Sequence, residues 1–81
     1  MPSHGYIGRA IKDLANLDPA DPDRIDVALV RLAETRRGDV KKLRGCVGEY
    51  RLRVGKWRAF FRFRDSGVIE VFRIDNRGEA Y

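Results

Sequence analysis

The sequence predicts an α+β fold in which an N-terminal helical hairpin packs on a small antiparallel β-sheet meander. Apolar residues recur at helical spacing in the first half of the chain, whereas apolar and charged residues alternate in the second half. Glycine-containing turns separate the alternating segments, as expected for consecutive antiparallel strands. We expect the 81 residues to form one domain, over 1–81, with one modest hydrophobic core.

The first helix is predicted over about residues 7–17. Apolar side chains at i, i+4, i+7 and i+8 give it one apolar face, made of Ile7, Ile11, Leu14 and Ala15. The helix should end before Pro19, because a proline disfavours the α conformation of the residue that precedes it. Ahead of the helix, residues 3–7 are a weak candidate for a short edge strand, since glycines weaken strands.

The second helix is predicted over about residues 22–37. Asp21 is a suitable N-cap, Pro22 suits the first helical position, and Gly38 suits the residue after the helix ends. Its apolar face is predicted to hold Ile25, Ala28, Leu29, Leu32 and Ala33. Because only a short turn separates the two helices, we expect them to form an antiparallel hairpin.

Three strands are predicted after the helices, over about residues 49–54, 57–64 and 68–74. Residues 39–45 lead into them and are interpreted as an extended connector. Hairpin turns are expected at residues 55–56 and 65–67, which contain glycine. The alternation gives the sheet one apolar and one charged face. The charged face is predicted to hold Arg51, Arg53, Arg58, Phe60, Arg62 and Arg64.

Positive charge is concentrated in the second half of the chain. Residues 1–40 hold six Lys/Arg and seven Asp/Glu, whereas residues 41–81 hold eleven Lys/Arg and five Asp/Glu. A sheet face with this much positive charge is suited to a polyanion such as RNA or DNA. The alternative interpretation is a solvated basic surface that binds nothing.

The residue inventory excludes several classes of catalytic site. His4 is the only histidine and Cys46 the only cysteine, so we expect no Ser-His-Asp or Cys-His set, no disulfide and no metal site. The glycines form neither a phosphate loop nor a dinucleotide fingerprint, and we expect no cofactor. No apolar run is long enough to span a membrane and no signal peptide is evident, which favours the cytoplasm.

Arginine, lysine and tyrosine can still support the cleavage of RNA. The 2′-hydroxyl of the substrate is the nucleophile, so the protein needs to accept one proton, stabilise the phosphorane and assist the leaving oxygen. Planar guanidinium groups match phosphate oxygens and suit the second of these tasks. A tyrosine can act as the base only where nearby cations favour the phenolate.

The second half of the chain contains four notable segments, namely Lys42-Leu43-Arg44-Gly45, Tyr50-Arg51-Leu52-Arg53-Val54-Gly55, Trp57-Arg58, and Arg77 followed four residues later by Tyr81. Together these segments resemble the RelE/ParE superfamily of toxins from bacterial toxin–antitoxin pairs. The resemblance covers about residues 7–81. It implies a ribosome-dependent endoribonuclease that cleaves mRNA in the A site by 2′-hydroxyl attack. The expected products are a cyclic phosphate and a 5′-hydroxyl, and neither a metal ion nor a cofactor takes part.

The resemblance also implies a role for individual residues. Arg58 matches the arginine that stabilises the charge developing at the scissile phosphate. Arg77 matches the arginine that protonates or stabilises the leaving oxygen, and Tyr81 matches a tyrosine that acts as a stacking platform or general base. Arg51 and Arg53 match a basic pair that grips phosphate. Further RNA-binding residues are predicted to be Lys41, Lys42, Arg44 and Arg62.

The expected partners are a cognate antitoxin that covers the basic face, the ribosome and mRNA. The gyrase-poisoning ParE branch shares the fold but generally lacks this full set of residues, so the set favours the ribonuclease branch. The first alternative is therefore a non-catalytic inhibitor of DNA gyrase that binds its target by the helical hairpin. The second alternative is a decayed, non-toxic module that still binds an antitoxin.

Overall fold

The computed structural model describes residues 4–43, 45, 48–64 and 67–76. Its two helices are α1 (Arg9–Ala15) and α2 (Ala20–Thr35). Its five strands are β1 (His4–Tyr6), β2 (Asp39–Lys42), β3 (Glu49–Val54), β4 (Trp57–Phe63) and β5 (Ile69–Asn76). The helices pack on a single mixed sheet, so the predicted α+β fold is confirmed.

The sheet has the strand order β1-β5-β4-β3-β2. Strands β2 to β5 form an antiparallel meander, and β1 returns to pair parallel with β5, placing His4 opposite Ile69. The sheet is therefore larger and less uniformly antiparallel than the sequence predicted. The weak candidate strand at the N-terminus does form, because β5 offers it an open edge.

The predicted connector over residues 39–45 is wrong at its start, where β2 pairs antiparallel with β3 and Lys41 lies opposite Arg51. All four residues of β2 are exposed on this outermost strand. An edge strand without a buried face needs no apolar alternation, so periodicity gave no signal for it.

Both helices have different bounds from those predicted. Helix α1 begins at Arg9 because Gly8 has a φ of 50°, which is not a helical conformation. Helix α2 begins at Ala20, where the already helical Pro19 is the N-cap, so Asp21 lies inside the first turn. It ends at Thr35, since Arg36 adopts a left-handed conformation (φ 59°) and donates its N–H to the Leu32 carbonyl at 2.9 Å.

The core lies between α2 and the inner face of the sheet. Its fully or almost fully buried members are Ala10, Ile25, Leu29, Leu32, Leu52, Ala59, Phe61, Ile69, Val71 and Ile74. Helix α1 contributes less than predicted, because Ile11 is 58% exposed and only Ala10 of this helix is fully buried. The opposite face of the sheet, called here the outer face, carries no residue of this core.

A β-bulge in β5 decides which side chains reach the outer face. Phe61 of β4 pairs with Val71, but the preceding Phe60 pairs with Arg73, so Phe72 is an extra residue. Val71 is buried before the bulge and Ile74 is buried after it. The bulge therefore shifts the alternation by one position and places Arg73 and the residue after Ile74 on the outer face.

Candidate nucleic-acid interface on the outer face

The outer face combines many basic side chains with acidic and aromatic ones. The strand registers place on it Asp39, Lys41, Glu49, Arg51, Arg53, Arg58, Phe60, Arg62, Glu70, Phe72, Arg73 and Asp75. Six of these residues are basic and four are acidic. The face is positive overall, but it is less strongly charged than the arginines alone indicated.

Several of the predicted RNA-binding arginines are held in ion pairs. Arg53 Nε lies 3.5 Å from Asp39 Oδ2, a carboxylate directly opposite it on β2. Arg62 Nε lies 3.4 Å from one carboxylate oxygen of Glu70, and Arg64 Nε lies 3.4 Å from the other. An anionic ligand has to compete with these carboxylates for the same guanidinium groups.

Arg58 forms the shortest of the arginine–carboxylate pairs in the described part of the chain. Its Nε donates to Asp75 Oδ1 at 2.7 Å, and the two residues face each other across β4 and β5. The side chains are only 16% and 19% exposed. Asp75 Oδ2 also contacts Arg73 Nη2 at 3.2 Å, so one carboxylate bridges two guanidinium groups. Charge-assisted hydrogen bonds in partly buried surroundings are the stronger kind, which fixes the position of Arg58.

Two phenylalanine rings support the guanidinium groups. The ring centroid of Phe60 is 5.8 Å from Arg58 Cζ and 5.4 Å from Arg73 Cζ. The ring centroid of Phe72, the bulge residue, is 4.6 Å from Arg62 Cζ. These distances suit cation–π contact, so the arginines lie against aromatic surfaces. An aromatic ring between arginines is also a suitable stacking platform for an RNA base.

Arg51 differs from the other arginines of the outer face because no described residue forms an ion pair with it. Its Nε is buried and lacks a hydrogen-bond partner within the described chain. In the strand register it lies between Lys41 on β2 and Phe60 on β4. Like charges directly opposite each other are unfavourable. A bound anion would therefore relieve more electrostatic repulsion at Lys41 and Arg51 than elsewhere on this face.

The structure brings together part of the predicted site. Arg51, Arg53, Arg58, Arg62 and Lys41 share the outer face, whereas Lys42 lies opposite Tyr50 on the other side of the sheet. Arg44, Arg77 and Tyr81 lie outside the described residues. Their predicted roles stay predictions.

Arg73 and Asp75 were missed because the last strand was predicted to end at residue 74 with unbroken alternation. The adjacent apolar residues Val71 and Phe72 break that alternation and were the available signal of a bulge.

The helical side carries a separate polar cluster. His4 Nε2 lies 2.6 Å from Asp26 Oδ1, and the hydroxyl of Tyr6 donates to the same oxygen at 3.2 Å. Burial raises the pKa of Tyr6 well above its usual value, and the charge of Asp26 adds to this effect. Tyr6 therefore stays protonated at neutral pH and is unsuited to act as a base.

Neither a metal site nor a membrane span is evident in the part of the chain that the structure describes. Within residues 4–43, 45, 48–64 and 67–76, histidine, cysteine and carboxylate side chains form no group able to hold a metal ion. Neither α1 nor α2, the helices found among those residues, has the length and apolar character needed to cross a bilayer.

The architecture is that of known toxins. The isolated RelE toxin of E. coli superposes with a TM-score of 0.74 at 22% identity, over 94% of this chain and 84% of that chain. RelE in the RelB–RelE antitoxin–toxin complex of Methanococcus jannaschii gives 0.72 at 21% identity, with 94% and 93% covered. The toxin–antitoxin complex RelBE2 of Mycobacterium tuberculosis gives 0.62 at 27% identity, with 95% and 100% covered.

The family follows from the sequence itself. The family of the ParE toxin of the type II toxin–antitoxin system, parDE, matches residues 7–81. A comparison with curated proteins found no match. The chain belongs to this ParE toxin family, within the RelE/ParE superfamily, and is a toxin of the RelBE/ParDE type.

Proposed function

We propose that this toxin is a ribosome-dependent endoribonuclease that cleaves mRNA in the A site. The observation that carries the proposal is the fixed position of Arg58, whose Nε donates to Asp75 at 2.7 Å. The same face also holds Arg51, with which no described residue forms an ion pair. A guanidinium held before the substrate arrives can stabilise charge without reorganising during the reaction. The expected partners are the ribosome, mRNA and a cognate antitoxin, all in the cytoplasm.

In the proposed reaction, the 2′-oxygen of one nucleotide attacks the adjacent phosphorus. The new O–P bond closes a 2′,3′-cyclic phosphate as the bond from phosphorus to the 5′-oxygen breaks. A base accepts the proton of the 2′-hydroxyl, and the departing 5′-oxygen takes up a proton to become a 5′-hydroxyl. The terminal nitrogens of Arg58 bind the non-bridging oxygens, where negative charge builds up in the phosphorane.

The remaining roles come from the outer face and from the family resemblance. Lys41 and Arg51 bind a flanking phosphate, which offsets the repulsion between these two cations. Phe60 offers its ring to a base beside the scissile bond. The roles of Arg77 at the leaving oxygen and of Tyr81 as base or stacking platform rest on the resemblance alone.

Primer extension on a translated message tests this proposal. Wild-type protein should produce cuts within codons only when ribosomes are present. Arg58→Ala should reduce the cleavage rate by about 10²-fold or more, as expected for the loss of a group that stabilises the transition state. Arg24→Ala is the matched control, because it removes an exposed arginine from α2, away from the outer face. Equal cleavage by wild type and Arg58→Ala would refute the assignment.

Inhibition of DNA gyrase is the second candidate, because the matching family is the ParE toxin of parDE. The helices also expose large apolar side chains, with Val27 67% and Ile11 58% exposed. A supercoiling assay with purified gyrase distinguishes the two functions. If the protein inhibits gyrase, the wild type should block supercoiling and Arg58→Ala should block it equally. Arg31→Glu on α2 should no longer block it. If the protein shows neither RNA cleavage nor gyrase inhibition, the remaining interpretation is a non-toxic module that binds an antitoxin.

A further inference from the structure

We propose that Asp75 positions Arg58 for catalysis and that Arg73 is a second phosphate-binding cation at the same site. This inference rests on the proposed RNA cleavage and assigns its phosphate site to three residues. The three side chains come from neighbouring positions of β4 and β5, and Asp75 is the link between the two arginines.

The geometry of the Arg58–Asp75 bond is that of a support. Asp75 accepts from Nε, the inner nitrogen of the guanidinium, at 2.7 Å. This bond leaves the two terminal nitrogens of Arg58 for another acceptor, and they form the planar fork that binds two oxygens of one phosphate. A carboxylate that occupied the fork itself would block the substrate instead.

A comparison on the same face shows how well this pair is fixed. Arg53 and Asp39 also face each other across two strands, but their atoms are 3.5 Å apart and their side chains are 41% and 57% exposed. Arg58 and Asp75 are closer, and their side chains are 16% and 19% exposed. Exposed pairs with long separations do not fix a side chain, whereas a short and partly buried bond does.

Arg73 completes the charge of the site. Its Nη2 lies 3.2 Å from Asp75 Oδ2, and its side chain is 46% exposed and thus accessible to a ligand. Two guanidinium groups and one carboxylate leave one net positive charge, which matches one phosphodiester. The Cζ atoms of both arginines also lie within 6 Å of the Phe60 centroid, at 5.8 and 5.4 Å, so a single ring supports both groups.

The β-bulge makes this cluster possible. If the same sequence continued as a regular strand without the bulge, the alternation set by Ile69 and Val71 would direct Arg73 and Asp75 towards the core. A bulge costs ladder hydrogen bonds and is commonly found where side chains have to be re-aimed. In β5 it re-aims an arginine and a carboxylate onto Arg58.

Substitution of Asp75 by asparagine separates positioning from simple electrostatics. Asp75→Asn makes the protein more positive by one charge, so electrostatics alone predicts tighter RNA binding and faster cleavage. Positioning predicts a fall in kcat of at least about tenfold with KM changed little, because a misplaced group loses transition-state contacts first. Glu70→Gln is the matched control, since it makes the same charge change at a carboxylate that contacts Arg62 and Arg64.

Arg73→Ala provides the second arm of the cleavage experiment. Loss of a phosphate contact should raise KM and reduce the slope of log affinity against log salt by about 0.7, the value for one phosphate of a single strand. Faster cleavage by Asp75→Asn would overturn the positioning role and show that Asp75 competes with the substrate. An unchanged salt slope in Arg73→Ala would overturn the role of Arg73.

A measurement without ribosomes keeps the inference separate from the proposed function. Inorganic phosphate is titrated into the free protein while the side-chain ¹⁵Nε–H signals of Arg58 and Arg73 are followed by NMR. In the wild type, phosphate should shift both signals with the same apparent affinity. Asp75→Asn should bind phosphate more weakly despite its extra positive charge. Tighter binding by Asp75→Asn, or independent curves for the two arginines, would refute the shared site. Absence of RNA cleavage together with the shared curve would refute the nuclease only.

Discussion

The carboxylate of Asp13 on α1 accepts a 3.0 Å hydrogen bond from the backbone N–H of Ile74 on β5. Strand β1 pairs with β5 only as far as Val71, so the N–H of Ile74 lies beyond the end of the partner strand. Helix α1 supplies the acceptor that β1 cannot. This bond supports the stretch of β5 that carries Arg73 and Asp75.

Replacement of Asp13 should therefore destabilise the protein through β5. Asp13→Ala leaves the N–H of the buried Ile74 without an acceptor, and we expect it to reduce the free energy of unfolding by about 1–3 kcal/mol. Asp13→Asn keeps an acceptor oxygen and should lose less. Urea denaturation of the three proteins checks the order. Equal stabilities for the alanine and asparagine variants would mean that the hydrogen bond contributes nothing.

Arg51 and Arg53 should differ in their contribution to RNA binding. Arg51 has no ion pair among the described residues, whereas Arg53 already contacts Asp39 at 3.5 Å. Arg51→Ala should weaken binding of a short single-stranded RNA by about 1.5–3 kcal/mol, typical of a hydrogen bond to a charged group. Arg53→Ala should weaken it less, because its carboxylate partner competes with phosphate. Fluorescence titrations at several salt concentrations give both affinities, and a larger loss in Arg53→Ala would contradict the expectation.

Phe60 and Phe61 are sequence neighbours on opposite faces of the sheet, which allows a matched test. Phe61 is fully buried, and Phe61→Ala should reduce the free energy of unfolding by about 3–5 kcal/mol. Phe60→Ala should cost less stability, because Phe60 is only half-buried on the outer face, but it should weaken RNA binding. Thermal unfolding and RNA titration of both variants check this division. A Phe60→Ala protein with unaltered RNA affinity would exclude the ring as a stacking platform.

The raised pKa of Tyr6 predicts a loss of stability in alkali. The folded protein holds the phenol proton more tightly than the unfolded chain, in which the pKa is about 10. The contribution of the protonated Tyr6 phenol to the free energy of unfolding is therefore complete below pH 10 and falls as the pH rises above that value. Tyr6→Phe removes the ionisable group and should show a smaller loss over the same range. Denaturation from pH 9 to 11 gives the free energy of unfolding at each pH. Equal slopes of this free energy against pH for wild type and Tyr6→Phe would contradict the assignment.

The sequence was sufficient for the parts of the fold that have strong periodicity. The apolar face of α2 and the alternation in β3 and β4 identified Ile25, Leu29, Leu52 and Phe61, all of which are buried. The two edge strands were harder to predict, because β1 is short and contains Gly5, and β2 is exposed on both faces. Edge strands depend on the open edge of a neighbour, which is a tertiary property.

The candidate site was predicted in part for a similar reason. A positive face could be recognised from the alternating arginines, whereas the carboxylates that pair with them come from other strands. Asp39 lies in a segment interpreted as a connector, and Asp75 lies beyond the predicted end of the last strand. Pairing across strands depends on the register, and the bulge at Phe72 set that register in a way that strict alternation did not anticipate.

The bulge in β5 also allows the chain to be one residue shorter at this point without exchanging the faces of the strand. Removing Phe72 would leave a regular strand in which Val71 and Ile74 still face the core and Arg73 and Asp75 still lie on the outer face. A homologue that is one residue shorter here would therefore keep the cluster around Arg58 and lose only the ring that contacts Arg62. Among relatives, a one-residue gap between the buried Val71 and Ile74 is thus compatible with the same cluster, whereas the loss of Arg73 or Asp75 is not.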